Sequence, residues 1–126
     1  MEKTKTSGKV TFQDKSVYIG ELENEIPNGY GVWTHPNGEE YKGQWVDGKE
    51  NGSGIYSYPD GGEFSGNFVD GLREGSGIWS HPDGSKYHGS WSKGKFHGKG
   101  IFIWTDQKKY DGDWNNGVQE GIGKTN

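Results

Sequence analysis

Residues 41–63 read YKGQWVDGKENGSGIYSYPDGGE, and this stretch decides the fold because the chain repeats it every 23 residues. Aromatic residues recur at Tyr18, Tyr41, Phe64, Tyr87 and Tyr110. Two positions after each come Gly20, Gly43, Gly66, Gly89 and Gly112, and four positions after come Leu22, Trp45, Phe68, Trp91 and Trp114. The second half of each unit is G-x-G-x-aromatic, as at Gly52, Gly54 and Tyr56 or Gly75, Gly77 and Trp79. A period between about 20 and 50 residues marks an architecture of stacked units, each unable to bury its apolar face alone.

Within the unit, aromatic, glycine and aromatic sit at i, i+2 and i+4, which is the period of a β-strand. The G-x-G half alternates in the same way. Between the two lie six residues such as 46–51, with Asp47-Gly48 suited to the positive φ of a hairpin turn. A second connection recurs as Pro36 to Gly38, Pro59 to Gly61 and Pro82 to Gly84, where proline presets φ and glycine takes the left-handed position. These signals predict an all-β fold: an elongated, single-layer, twisted antiparallel ribbon of stacked hairpins with about eleven strands from Gly8 to Lys124. The proposed register pairs Tyr41 with Tyr56, Gly43 with Gly54 and Trp45 with Gly52. On the other side of that strand it pairs Tyr58 with Phe64, Tyr56 with Gly66 and Gly54 with Phe68, so that most strand glycines face a ring directly.

The pattern Y-x-G-x-W-x-x-G-x-x-x-x-G-x-G, at Tyr41 to Gly54 and again at Tyr87 to Gly100, resembles the MORN repeat (membrane occupation and recognition nexus). The resemblance divides the chain into a tail, 1–7, and an array, 8–126, made of a half repeat at 8–17, repeats beginning at 18, 41, 64 and 87, and a truncated one beginning at 110. It implies a scaffold in a ciliary or cytoskeletal structure, a module apposed to a membrane, or an appendage of an enzyme whose chemistry lies elsewhere.

Only 27% of the residues are hydrophobic, yet 14% are aromatic, and the 24 glycines and 4 prolines fall in register. Periodic placement separates such a chain from low-complexity disorder. Without cysteine, disulfides, thiolate metal sites and cysteine nucleophiles are excluded. The first residues, MEKTKTSG, lack the apolar core of a signal peptide, and no 18-residue apolar run follows. A soluble, cytoplasmic protein is expected, associated with cytoskeleton or cilium if the family resemblance extends that far.

No catalytic constellation, cofactor motif or metal set emerges. His35 and His81 occupy the same repeat position two units apart, too far to share a metal, and read as rings at the rim of the core. Asp111, Asp113 and Asn115 imitate the start of a calcium loop, but Asn116 and Ile122 stand where the loop needs glycine and glutamate. The expected chemistry is therefore binding. Val32, Ile55, Ile78 and Ile101 recur once per repeat on the otherwise polar face. They read either as the floor of a curved sheet or, with Tyr58 and Trp104, as an apolar groove for a peptide or helix of another protein.

Charge is uneven: residues 1–63 hold 6 basic against 11 acidic side chains, residues 64–126 hold 8 against 7, and no acid occurs from Gly84 to Thr105. Lys86, Lys93, Lys95 and Lys99 in that stretch make a candidate patch for an anionic phospholipid, the alternative partner; nucleic acid is not expected. A ribbon also has two open edges. The last one, around Ile122, is guarded only by Lys124, so strand addition by a partner or by a second copy is expected there, a homodimer that would cover the Trp114 side.

Overall fold

The structure, a computed structural model, describes residues 5–125, with side chains through residue 117. Eleven strands follow one another: β1 (Lys5–Thr11), β2 (Val17–Glu23), β3 (Ile26–Thr34), β4 (Glu40–Val46), β5 (Lys49–Ser57), β6 (Glu63–Val69), β7 (Leu72–Ser80), β8 (Lys86–Ser92), β9 (Lys95–Ile103), β10 (Lys109–Asn115) and β11 (Val118–Thr125). They form one antiparallel sheet in sequence order, so every strand pairs only with its neighbours in the chain. The strand β1 takes in Lys5 to Ser7, which sequence had assigned to the tail.

Two kinds of connection alternate. The tight hairpins are two-residue turns with positive φ at both positions, for example Asp47 at 48° and Gly48 at 83°, and Asp70 at 48° and Gly71 at 84°. That is the turn whose twist matches a two-stranded ribbon. Strands therefore run almost to the turn, and the six-residue gap expected between them does not exist. The wider connections are closed by backbone bonds such as His35 N–H to the carbonyl of Glu39 and Gly38 N–H to that of His35, both at 2.9 Å. Asp60 and Asp83 brace the equivalent turns by accepting the N–H of Gly62 and Ser85, each at 2.9 Å.

The register departs from the expected one in an instructive way. Tyr41 opposes Tyr56 and Gly43 opposes Gly54, but Trp45 opposes Glu50 rather than Gly52. A bulge between Gly43 and Trp45 puts two extra residues on β5, and Gly52, at φ 97°, supplies its left-handed conformation. On the far side the expected pairs are wrong by two residues: Gly54 opposes Gly66 and Tyr56 opposes Phe64. Glycine thus pairs with glycine across the whole sheet, from Gly8–Gly20 through Gly43–Gly54 to Gly100–Gly112.

The rings cover this glycine row diagonally. A Cβ on Gly54 would lie 2.3 Å from the Tyr41 hydroxyl, and one on Gly31 would lie 2.3 Å from Tyr18. Between the rings stand the second aromatics, edge to face. Tyr18, Trp45, Tyr41, Phe68, Phe64, Trp91, Tyr87, Trp114 and Tyr110 make an unbroken chain of contacts with interplanar angles from 79° to 89°. Such pairs are worth about 0.5–1.5 kcal/mol each beyond the area they bury. Polar tips are satisfied by backbone carbonyls of the same or the preceding repeat. The Tyr41, Tyr87 and Tyr110 hydroxyls donate to the carbonyls three residues on at 2.9, 2.8 and 2.9 Å. The Trp45, Trp91 and Trp114 indoles donate to Gly31, Gly77 and Gly100 at 3.3, 3.2 and 3.2 Å.

Two predictions follow from this lattice. Gly54→Ala drives a methyl into the Tyr41 ring and should cost about 1–3 kcal/mol, whereas Gly8→Ala, which meets only Leu22 at 3.4 Å, should stay within about 0.5 kcal/mol of the parent; urea denaturation compares them. Phe64 is the one ring in its row without a hydroxyl, and Asn67 occupies the bulge position whose carbonyl a tyrosine holds in the other repeats. Phe64→Tyr should therefore stabilise by about 1 kcal/mol, read as a higher urea midpoint; an unchanged or lower midpoint would show that the bulge carbonyl gains nothing from the bond.

Candidate functional site

The sheet presents two different faces. Val32, Ile55, Ile78 and Ile101 lie in one transverse row with Ile19, Lys42, Ser65, His88 and Asp111, on the face away from the rings. Ile55, Ile78 and Ile101 are 41%, 42% and 37% exposed. They stand outside the packed ring core, and charged or polar side chains from alternate strands interrupt the apolar line. Each face carries a shallow depression: on this side one of about 610 Å³ lined by Tyr30, Lys42, Ile55, Ser65 and Ser76 among others, and on the ring side one of about 480 Å³.

Tyr58 and Trp104 are on the opposite, ring-bearing face. Tyr58 packs on Tyr56 and Trp104 on Phe102, both with centroids 4.9 Å apart. The expected groove residues are thus split between two faces. What the structure assembles around Tyr58 and Trp104 is a stripe of half-buried rings, Trp33, Tyr56, Trp79 and Phe102, flanked by His35, Tyr58, His81 and Trp104. The strand period assigns them the correct face, but only the packing shows that Tyr41, Phe64 and their equivalents fill the core and leave this second row open.

One further position on the ring face differs from repeat to repeat. Opposite Leu22, Trp45, Phe68 and Trp91 stand Pro27, Glu50, Arg73 and Phe96. Arg73 is the single arginine of the chain. Its guanidinium sits 4.7 Å from the Trp91 ring centroid and 5.7 Å from that of Phe64. It donates to the Gly94 carbonyl at 2.7 Å and to the Tyr58 hydroxyl at 3.3 Å. It also lines two adjoining cavities, about 230 Å³ with Trp79, Trp91 and Phe96 and about 480 Å³ with Tyr58, Asp60 and Trp79.

The four candidate lysines do not converge. All are exposed, but Lys86 opens β8 while Lys93 and Lys95 lie beyond its other end, about 20 Å away at strand rise. Lys99 is paired with Asp113 at 2.6 Å, and Glu74 accepts the Lys93 backbone N–H at 2.8 Å. Asp111 and Asp113 lie in the extended β10. Trp114, expected to be covered by a second copy, is already 6% exposed within one chain. The strand β11 forms the carboxy-terminal edge; the Ile122 side chain lies outside the described residues.

Ionisation is shifted mostly by burial. Burial pushes the Tyr18 and Tyr87 phenols up to about 12 and raises Tyr41 and Tyr56 as well, leaving no tyrosinate near neutrality. Burial also raises the Glu50 carboxyl. At His81 partial desolvation opposes the charge, but Asp60 at 3.1 Å from Nε2 and Asp83 at 3.1 Å from Nδ1 outweigh it and raise the pKa. Among the described residues no three histidine or carboxylate side chains converge to hold a metal, and no helix is long and apolar enough to cross a membrane.

Fold and faces define a repeat protein of the β-hairpin-array class. A family model described as the MORN repeat matches five consecutive units, 18–40, 41–63, 64–86, 87–109 and 110–125, and the chain belongs to that family. A comparison with curated protein sequences gave no match. Membership of this family suggests a repeat scaffold or membrane-associated module; such repeats are generally non-enzymatic.

The His81 site supplies a prediction. Its imidazolium is favoured by the fold, so the associated stabilisation is present at pH below the unfolded histidine value and is lost as pH rises through the higher folded value. An NMR titration should place His81 above about 6.5, and Asp60→Asn should bring it down; an Asp60→Asn spectrum with the same midpoint as the parent would contradict the assignment.

Proposed function

We propose that this chain is a non-enzymatic adaptor that holds a segment of another protein against the ring face of its sheet. The observation that carries the reading is the stripe formed by Trp33, Tyr56, Trp79 and Phe102, half-buried rings recurring once per repeat over a core already filled by another set, with Trp33 tilted on Tyr56 and Trp79 stacked on Phe102. Large aromatics left partly open beside a guanidinium are the side-chain types that dominate binding hot spots. The opposite face offers isoleucines separated by Lys42, Ser65 and His88, a poorer surface for a dry contact. A cytoskeletal or ciliary assembly suits an elongated adaptor of this kind. Spreading of Lys86, Lys93, Lys95 and Lys99 disfavours the phospholipid alternative, because attraction to anionic bilayers rests on clustered basic residues.

The test compares two variants of equal severity on opposite faces. Affinity capture with the parent, with Trp33→Ala/Trp79→Ala, and with Ile55→Ser/Ile78→Ser should show one set of partner proteins retained by the parent and the isoleucine variant and lost, by at least about tenfold, from the tryptophan variant. Circular dichroism confirms that both variants fold. Loss on the isoleucine variant alone would reassign the binding face, and sedimentation of the parent with phosphatidylserine vesicles at physiological salt would favour the lipid alternative.

A further inference from the structure

The ring face carries a fixed order of charge. Glu50 and Arg73 occupy equivalent positions in successive repeats, and Phe96 occupies the next. Each stands directly opposite a buried aromatic, so all three project to the ring side. Glu50 lies close enough to Tyr41 and Tyr56 for its charge to act on both phenols. All three are half-buried. Among the described residues neither Glu50 nor Arg73 has an oppositely charged side chain within ion-pair distance. Two of the five guanidinium N–H groups go to the Gly94 carbonyl and the Tyr58 hydroxyl, leaving three that these bonds do not use.

A half-buried carboxylate and a half-buried guanidinium without an opposite charge beside them are costly unless something brings the complementary charge. We infer that the occupant of the ring face is an amphipathic helix bearing a basic residue over Glu50, an acidic residue over Arg73 and a large apolar residue over Phe96, with successive contacts seven residues apart. This rests on the adaptor reading above and specifies its partner.

Spacing and stripe width together select the α-helix. Equivalent positions in successive repeats are two strands apart, about 9.6 Å at the ordinary strand separation. Seven residues of α-helix advance about 10.5 Å and return to nearly the same face, with a drift of about 20° that long charged side chains absorb. An extended segment fails on parity: three residues span about 10 Å, but residues three apart point to opposite sides of a strand. A polyproline helix meets this spacing as well, at three residues and about 9.3 Å per turn, but it turns a single row of side chains to a surface, whereas an α-helix shows a stripe wide enough to meet the charge row and the neighbouring ring row together. The order matters more than the presence of charge. Reversing base and acid sets like charges against each other at both positions, whereas in the stated order both are neutralised and the apolar end meets Phe96, where the Trp79 and Trp91 rings close a cavity of about 230 Å³.

The experiment is selection from a displayed library of random peptides about 20 residues long, enough for three contacts at helical rise, against the parent and against Glu50→Lys/Arg73→Glu. Segments selected by the parent should carry base, acid and large apolar residue at seven-residue spacing, in either chain direction, with the acid always in the middle. The charge-swapped chain should select acid and base exchanged. If the double variant does not fold, Arg73→Gln alone should lower the affinity of a parent-selected segment at least about tenfold and abolish the preference for acid at the middle position, with Glu50→Gln doing the same for the base. The same segments from both chains, charges at three-residue spacing as a polyproline helix would need, or no selected segments would each overturn the inference. Segments without the charge order that bind the parent and are lost on Trp33→Ala/Trp79→Ala leave the adaptor reading standing and end this one.

Discussion

A ring laid over a glycine is the contact on which the rest of this molecule depends. With 27% hydrophobic residues, the chain cannot build a core from aliphatic side chains, and a single-layer sheet offers no second layer to pack against. The solution is to make the core one ring thick. Tyr18, Tyr41, Phe64 and Tyr87 lie flat on their own sheet at 0% exposure, each over a glycine of the next strand, and each is locked by the indole or phenyl of the following repeat standing at a right angle to it. Removing the Cβ from the sheet beneath each ring is what lets a layer about one aromatic thick exclude water. The cost in strand propensity falls on one transverse row where glycine pairs with glycine and on the bulge glycines beside it.

The same contact explains the bulge. A flat ring reaching along its strand brings the tyrosine hydroxyl to the carbonyl three residues on, which is where the strand loses its regular partner. Bulge, left-handed glycine and tyrosine hydroxyl are therefore one device, and it explains why the G-x-G pair contains two glycines with different duties. Gly52 supplies the backbone conformation of the bulge, at φ 97°; Gly54 makes room for Tyr41. Tyrosine serves this device better than phenylalanine because its polar tip has an obligatory acceptor.

Much of this was legible before any coordinates. The 23-residue period, the Asp-Gly turns and the alternation of Tyr41, Gly43 and Trp45 define an antiparallel ribbon without further information, because each is a local property of the backbone. The Tyr41–Tyr56 and Gly43–Gly54 pairs were legible too; the partner of Trp45 and the register between β5 and β6 were not, since a bulge shifts pairing without changing residue type, and nothing in the letters Lys49 to Ser53 says which residues are left over. The division of Val32, Ile55, Ile78 and Ile101 from Tyr58 and Trp104 follows from alternation within each strand, because residues three apart, such as Ile55 and Tyr58 or Ile101 and Trp104, face opposite ways. Lys86 and Lys95 looked adjacent for a related reason. Nine residues of sequence contain a whole strand, so closeness in the chain became distance along the sheet.

Repetition constrains most of each unit and leaves a little free, and the free part is where individuality resides. The flat ring, its glycine, the perpendicular ring and the turn glycine are each tied to a steric demand that recurs in every unit. The position opposite the perpendicular ring has no such demand: its backbone carbonyl closes the next hairpin turn, as Glu50 does for Gly71 and Arg73 for Gly94 at 2.9 Å, and any residue has a carbonyl. Its side chain projects to the ring face and is free to differ. In this chain it reads proline, glutamate, arginine and phenylalanine in successive units. A scaffold built in this way sets the spacing of a bound surface through its repeat and the content of that surface through one side chain per repeat, so two such arrays with the same rings can discriminate between partners by a handful of residues.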